Sequence, residues 1–158
     1  MTETQPKTGR LPWPPLIYLA AITTAAVLGL FYPLPWISGL LAELLFAIGW
    51  LTLLAVAALW FTAFRAMFRA RTTLNPNGVP EHLVTTGPFS VTRNPIYLAN
   101  TLLLIGVGLI GGMAWFILLA IVASFATSKL AIQREEKVLS VKFGKKYRDY
   151  AKRVRRWI

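Results

Sequence analysis

Three apolar runs dominate the chain, separated by passages of turn-forming or polar residues. The first, about 16–35, is long enough for one bilayer crossing, since a helical span needs ~20 residues. It has a weakly basic front (Lys7, Arg10) but no clear small-residue cleavage site before "YPLPW", which predicts a retained span. After the uncharged turn "YPLPWISG", a second run covers about 38–64, carries the acid Glu43 and ends at Arg65, Arg69 and Arg71. A polar stretch, 71–95, comes next. From Ile96 to Ser128 there are 33 residues without a charge. As one helix they would reach ~50 Å, too long for a ~30 Å hydrocarbon core. "GLIGGMAW" at 108–115 is the natural break, so the pattern predicts two short helices, about 95–111 and 114–129, in a tight hairpin. The expected fold is all-α, with about four transmembrane helices.

The tail, 129–158, has a different pattern. Leu139, Phe143, Tyr147, Tyr150, Val154 and Trp157 are spaced 4, 4, 3, 4 and 3 apart, a helical stripe on a strongly basic segment. This predicts a basic amphipathic helix on anionic phospholipid, with Gly144 as a point of bending. The organisation expected is a single domain over 1–158. Its parts are a polar N-terminus 1–15, two spans in 16–70, a loop 71–95, a hairpin 95–129 and the tail 129–158.

Composition agrees with a membrane chain: 56% apolar residues, 15% charged and a mean hydropathy of +0.56 over 158 residues. There are no cysteines and one histidine, His82, which excludes disulfides, thiol chemistry and the usual metal clusters. The net charge of +11 would suggest nucleic acid in a soluble protein. Here no nucleic-acid motif accompanies it, and anionic lipid is the expected counter-charge. No obligate protein partner is evident.

With four spans, all 17 Lys and Arg fall on one side: N-terminus, central loop and tail. The positive-inside rule makes that side cytoplasmic, in a bacterium the inner face of the inner membrane. Trp36 and Trp115 fall at the opposite turns and Trp13 near the start, as interface aromatics do. Arg65 and Arg69, four apart at the near end of the second span, read as phosphate anchors, with headgroup recognition as the alternative.

The passage "EHLVTTGPFSVTRNPIYLAN", 81–100, has sound structural explanations. Gly87 and Pro88 suit a turn, and Asn94–Pro95 suits an N-cap and a first helical residue. "REEKVL", 134–139, places two acids at a helix start, where the dipole favours them. A carboxylate pair directly after a span is nonetheless costly without water or a partner. The four-span topology brings that pair to the same face as the Gly/Pro loop.

In that order, "LVTTGPF…RNPIYL", an apolar hairpin and "REE…L…FGKKYRDYAKRVRR" resemble the isoprenylcysteine carboxyl methyltransferase family, whose superfamily includes phospholipid N-methyltransferases. The resemblance covers roughly 72–157. It implies a multi-pass methyltransferase that uses S-adenosylmethionine (SAM) at the cytoplasmic face and takes a lipophilic acceptor from the bilayer. It also implies that Glu81, His82, Leu83 and Val84 line the cofactor, with Gly87 in the same loop. Phe89 stands where the family usually has tyrosine, Asn94, Pro95, Ile96 and Tyr97 occupy its "HPxY" positions, and Glu135 matches its cofactor acid. Asn94 replaces the common histidine and cannot titrate near neutral pH. The arginine that the family associates with a prenylcysteine carboxylate is Ala131 here, leaving Arg134 or Lys129 as substrate candidates.

The residues support the same reading physically. Leu83, Val84, Phe89 and Tyr97 offer flat apolar contact for adenine. Glu135 can accept from hydroxyl or amino groups, and Arg93 or loop N–H groups can meet a carboxylate. An ionised or amine acceptor requires no strong base. A neutral hydroxyl does, and His82 and Glu136 are the candidates, with Asn94 a further catalytic candidate by position. Two other readings remain: an NADPH-dependent reductase-related protein, and a non-catalytic membrane adaptor.

Overall fold

The computed structural model describes residues 13–71 and 80–158. Lys7, Arg10, the Trp13 side chain and residues 72–79 of the polar loop therefore lie outside the described residues. Five α-helices make up the bulk of the rest: α1 (Trp13–Phe31), α2 (Leu40–Arg69), α3 (Pro95–Gly111), α4 (Ala114–Thr127) and α5 (Gln133–Arg153). Among the described residues, α1, α2 and the helix that begins with α4 are long and apolar enough to cross a membrane, and α3 is a shorter apolar helix.

Helix ends reflect local chemistry. α1 stops at Phe31, four residues short of the expected end, because Tyr32 precedes Pro33 and is steered away from helical dihedrals. α2 runs through Arg65 to Arg69, five residues beyond the apolar run. Arginine is a good helix former with a long stem, so the change of polarity does not end the helix. At 30 residues α2 spans ~45 Å, more than a ~30 Å core. α3 spans the residues the pattern predicted, from Pro95 to a left-handed Gly112.

The predicted boundary between hairpin and tail at residue 129 is absent. α4 passes through a π-helical turn, Ser128–Ile132, directly into α5. No residue in "SKLAI" breaks a helix, and the extra residue of a π turn re-aims α5 relative to α4. The bend expected at Gly144 is present, with φ 51° and ψ −122°. The helix then ends at Arg153, and Val154 is extended.

In space the order is α1, α4, α3, α2, with α4 packed on both α1 and α3, and α2 on the outer side of α3. Tyr18, Ala21 and Ala25 of α1 meet Leu104 of α3 and Phe116, Ala120 and Ala123 of α4 in the core. Small residues let the backbones approach, which is how helices gain contact where lipid is as apolar as the side chains. The α2–α3 contact is close where glycines meet. A Cβ on Gly106 would lie 2.7 Å from Leu53 Cδ2 and 3.3 Å from the Gly49 carbonyl oxygen. The opposite face of α2, including Leu44, Leu51, Leu54 and Phe61, is exposed and suits lipid.

At one end of the bundle the turns are stitched together by Trp36 and Trp115, the two aromatics expected there. The Trp115 indole donates to the Tyr32 carbonyl at 2.7 Å. The Trp36 ring lies against Gly112, where a Cβ would come within 3.0 Å of it. The other end carries the polar residues.

Candidate cofactor site

Two adjacent glutamates at the start of α5 organise this end, and they face different partners. Glu135 accepts a hydrogen bond of 2.5 Å from the Tyr97 hydroxyl in the first turn of α3. Segments 38 residues apart in sequence are thereby joined. Tyr97 is itself placed by α1, because the Tyr18 hydroxyl donates to the Tyr97 carbonyl at 3.1 Å and lies 2.8 Å from Thr101 Oγ1. Glu135 is half-buried, and among the described residues its Oε2 makes no hydrogen bond. An open carboxylate oxygen beside a phenol is a ready acceptor for ligand hydroxyl or ammonium donors.

Glu136 is committed to the protein. Arg156 donates to it through a fork, Nε to Oε1 at 2.9 Å and Nη2 to Oε2 at 2.6 Å. Arg93 Nη1 lies 3.1 Å from Oε1 and also donates to the Tyr147 hydroxyl at 3.1 Å. The hydrogen bonds to Glu136 hold the Arg156 guanidinium above its ordinary pKa. Both Glu136 oxygens are thereby held by guanidinium groups.

The extended end of the chain completes the arrangement. Residues 154–157 return beside the loop, forming a parallel bridge between Thr92 and Arg155. The Arg93 amide donates to the Arg155 carbonyl at 3.0 Å, and Thr92 Oγ1 to the Arg156 carbonyl at 3.2 Å. Trp157 donates to Ser128 Oγ at 3.0 Å in the π turn. Asn94 precedes α3 as expected, but its side chain makes no capping bond. Its amide instead donates to the Arg156 carbonyl at 2.9 Å, so it holds the tail.

The apolar stripe of the tail is also used within the protein. Tyr147 and Tyr150 are buried, and Tyr150 donates to the Phe89 carbonyl at 2.6 Å, fixing the Gly87–Ser90 turn. Burial pushes the Tyr150 phenol up to about 12, so it remains a donor at ordinary pH. What this helix presents outward is its basic face, with Lys142, Lys145, Lys146 and Lys152 all exposed.

The remaining candidates are spread over several environments. Leu83, Val84, Phe89, Ile96 and Tyr97 are half-buried, Pro95 is buried, and Gly87, Glu81 and His82 are exposed. Arg93 is engaged with Glu136, although its buried Nε has no partner among the described residues. Ala131 is buried in the π turn, and Arg134 is exposed. Lys129 lies over the exposed Phe125 ring at 5.7 Å, on the outer surface of α4. Sequence reasoning missed Tyr18, Thr92 and Arg156. Only the spacing of Tyr97 and Thr101, four apart on one helix face, hinted at a polar partner from another helix.

The sequence model of the phospholipid methyltransferase family matches residues 40–146 of the chain. That stretch takes in α2, α3, α4, both glutamates and the loop between them. No curated protein matches the chain in sequence.

Proposed function

The chain belongs to the phospholipid methyltransferase family, and we propose that this membrane methyltransferase moves a methyl group from SAM to a lipophilic acceptor drawn from the bilayer. The Tyr97–Glu135 hydrogen bond carries the reading. It unites the two motif segments at one end of the bundle and leaves one carboxylate oxygen open.

The donor set fits SAM. Glu135 would accept from its hydroxyl or amino groups, with Tyr97 holding the carboxylate in orientation. Leu83, Val84 and Phe89 would provide apolar contact. The Arg93–Glu136–Arg156 network and Tyr150 hold the loop in place and so act as positioning residues. When bound, the cofactor supplies a methyl group already activated by its sulfonium. The residues of the chain therefore contribute chiefly alignment and exclusion of water. An amine or ionised acceptor fits this site without a dedicated base. For a neutral hydroxyl acceptor, His82 would be the base, since both Glu136 oxygens are engaged by arginine side chains.

The acceptor would approach laterally between helices, and the cofactor from the cytoplasm. The cationic residues support that sidedness, with the cofactor site and both termini cytoplasmic. The basic face of α5 would rest on anionic phospholipid. Purified protein incubated with methyl-labelled SAM and a membrane extract should yield a labelled, lipid-soluble product. Glu135→Ala should abolish it. If the wild-type protein transfers no label to any extract component, the reading is wrong.

A further inference from the structure

Helix α1 precedes residue 40, where the match to the family begins. One of its side chains nevertheless reaches the pair that organises the polar end. Tyr18 is 5% exposed and sits in the core shared by α1, α3 and α4, against which Tyr97 also packs. Its hydroxyl donates to the Tyr97 carbonyl at 3.1 Å and lies 2.8 Å from Thr101 Oγ1, both on α3. Thr127, fully buried in the last turn of α4, stands beside the same hydroxyl. Its Oγ1 makes no hydrogen bond among the described residues.

Core packing accounts for the Tyr18 ring but not for its hydroxyl. Phenylalanine would fill the same space, and a buried hydroxyl costs free energy unless it is bonded. The place of the contact is also particular. Tyr97 stands in the first turn of α3, where Asn94 makes no side-chain cap, so the turn is not held by its own end. Glu135 lies about two turns beyond Thr127, across the π turn. α1 packs mainly on α4 and little on α3. It therefore links the helix that leads to Glu135 with the helix that carries Tyr97, and Tyr18 makes that link through polar bonds.

We infer that Tyr18 is a positioning residue for the Tyr97–Glu135 pair. Its hydroxyl fixes the first turn of α3 against α4, and so sets where the Tyr97 phenol meets the Glu135 carboxylate and which way Oε2 faces. The first helix is then part of the site and more than a membrane anchor. Removing the hydroxyl leaves Tyr97 and Glu135 chemically intact, so its loss acts through their placement alone. For its effect on SAM this role of Tyr18 rests on the proposed function. The geometry of the pair does not.

The test compares wild type with Tyr18→Phe in purified protein whose glutamates carry a carbon-13 label at Cδ. The chain has only 6 acidic residues, so the carboxyl signals are few, and that of Glu135 is the one missing from Glu135→Gln. Without cofactor, Tyr18→Phe should shift the Glu135 signal. Trp60→Phe, which removes the 3.1 Å hydrogen bond from α2 to Asn100 on α3, should leave it in place. In a SAM titration Tyr18→Phe should weaken binding about fivefold, the worth of one ordinary hydrogen bond. Tyr97→Phe and Tyr18→Phe/Tyr97→Phe should bind SAM equally weakly, because Tyr18 acts through the Tyr97 hydroxyl. Should Tyr18→Phe fold poorly, Thr101→Val removes one partner of the same hydroxyl and should move the Glu135 signal in its place. An unmoved Glu135 signal in the folded variant overturns the role of Tyr18. So do losses that add to those of Tyr97→Phe, or an equal shift in Trp60→Phe. Wild-type protein that binds no SAM refutes the cofactor reading instead, and the Glu135 signal still decides whether Tyr18 places the pair.

Discussion

At the end of the bundle that carries residues 32–39 and 112–113, the connections are closed by shape. One indole donates to a backbone carbonyl, another covers a left-handed glycine, and the helices beneath meet through glycine and alanine. At the opposite end, the connections are closed by directed polar bonds among Arg93, Glu136, Tyr147, Arg156, Asn94 and the returning chain. The first solution is cheap in lipid, where close packing is the main source of contact. The second requires many matched partners and adds little if stability is all that is needed, because partly buried ion pairs barely offset their desolvation. A chain that invests in it at one end only is holding a loop in a particular shape, and that loop carries the proposed cofactor site.

The contrast between the two ends can be broken from either side. The largest loss expected is from Gly106→Leu, which drives a side chain into Leu53 and the Gly49 backbone. It should cost about 3 kcal/mol or more, read as early thermal unfolding in detergent. Glu136→Gln is next. With the paired side chains 15–35% exposed, it should cost about 2 kcal/mol rather than the larger sum of a fully buried pair. Hydrogen exchange should then quicken at Arg93 and at residues 154–157 while the 112–116 turn keeps its protection. Gly112→Ala forces a Cβ into the left-handed region against Trp36 and should cost about 1–2 kcal/mol, with SAM affinity unchanged. The smallest effect belongs to Tyr150→Phe. Losing one hydrogen bond to Phe89 should cost about 1 kcal/mol and weaken SAM binding only through a looser loop. Should Gly112→Ala weaken SAM binding as much as Glu136→Gln does, the two ends would not differ in function.

Much of the fold was readable in the sequence because bilayer thickness converts an apolar run into a helix. The 33 uncharged residues had to fold back, and Gly112 marks where they do. The meeting of "RNPIY" and "REE" came from that topology. Three features did not. The π turn at 128–132 is a matter of register, which no residue in "SKLAI" signals locally. Arg156 is one of eleven bases in the tail, and nothing nearby in sequence singles it out as the partner of Glu136. Asn94 has ideal capping chemistry, yet a competing acceptor 62 residues away takes its amide. Long-range pairing overrode local preference in the last two cases, and pairing of that kind is what a single sequence conceals.

The claim that the polar end is a cofactor site rests on Glu135. The direct measurement is a SAM titration of purified wild-type protein and Glu135→Gln in parallel, with helical content checked in both. The wild type should bind saturably, and Glu135→Gln should bind at least about tenfold more weakly at unchanged helicity, as loss of a charge-assisted acceptor implies. No binding by the wild type, or equal affinity in the two proteins, would contradict the account.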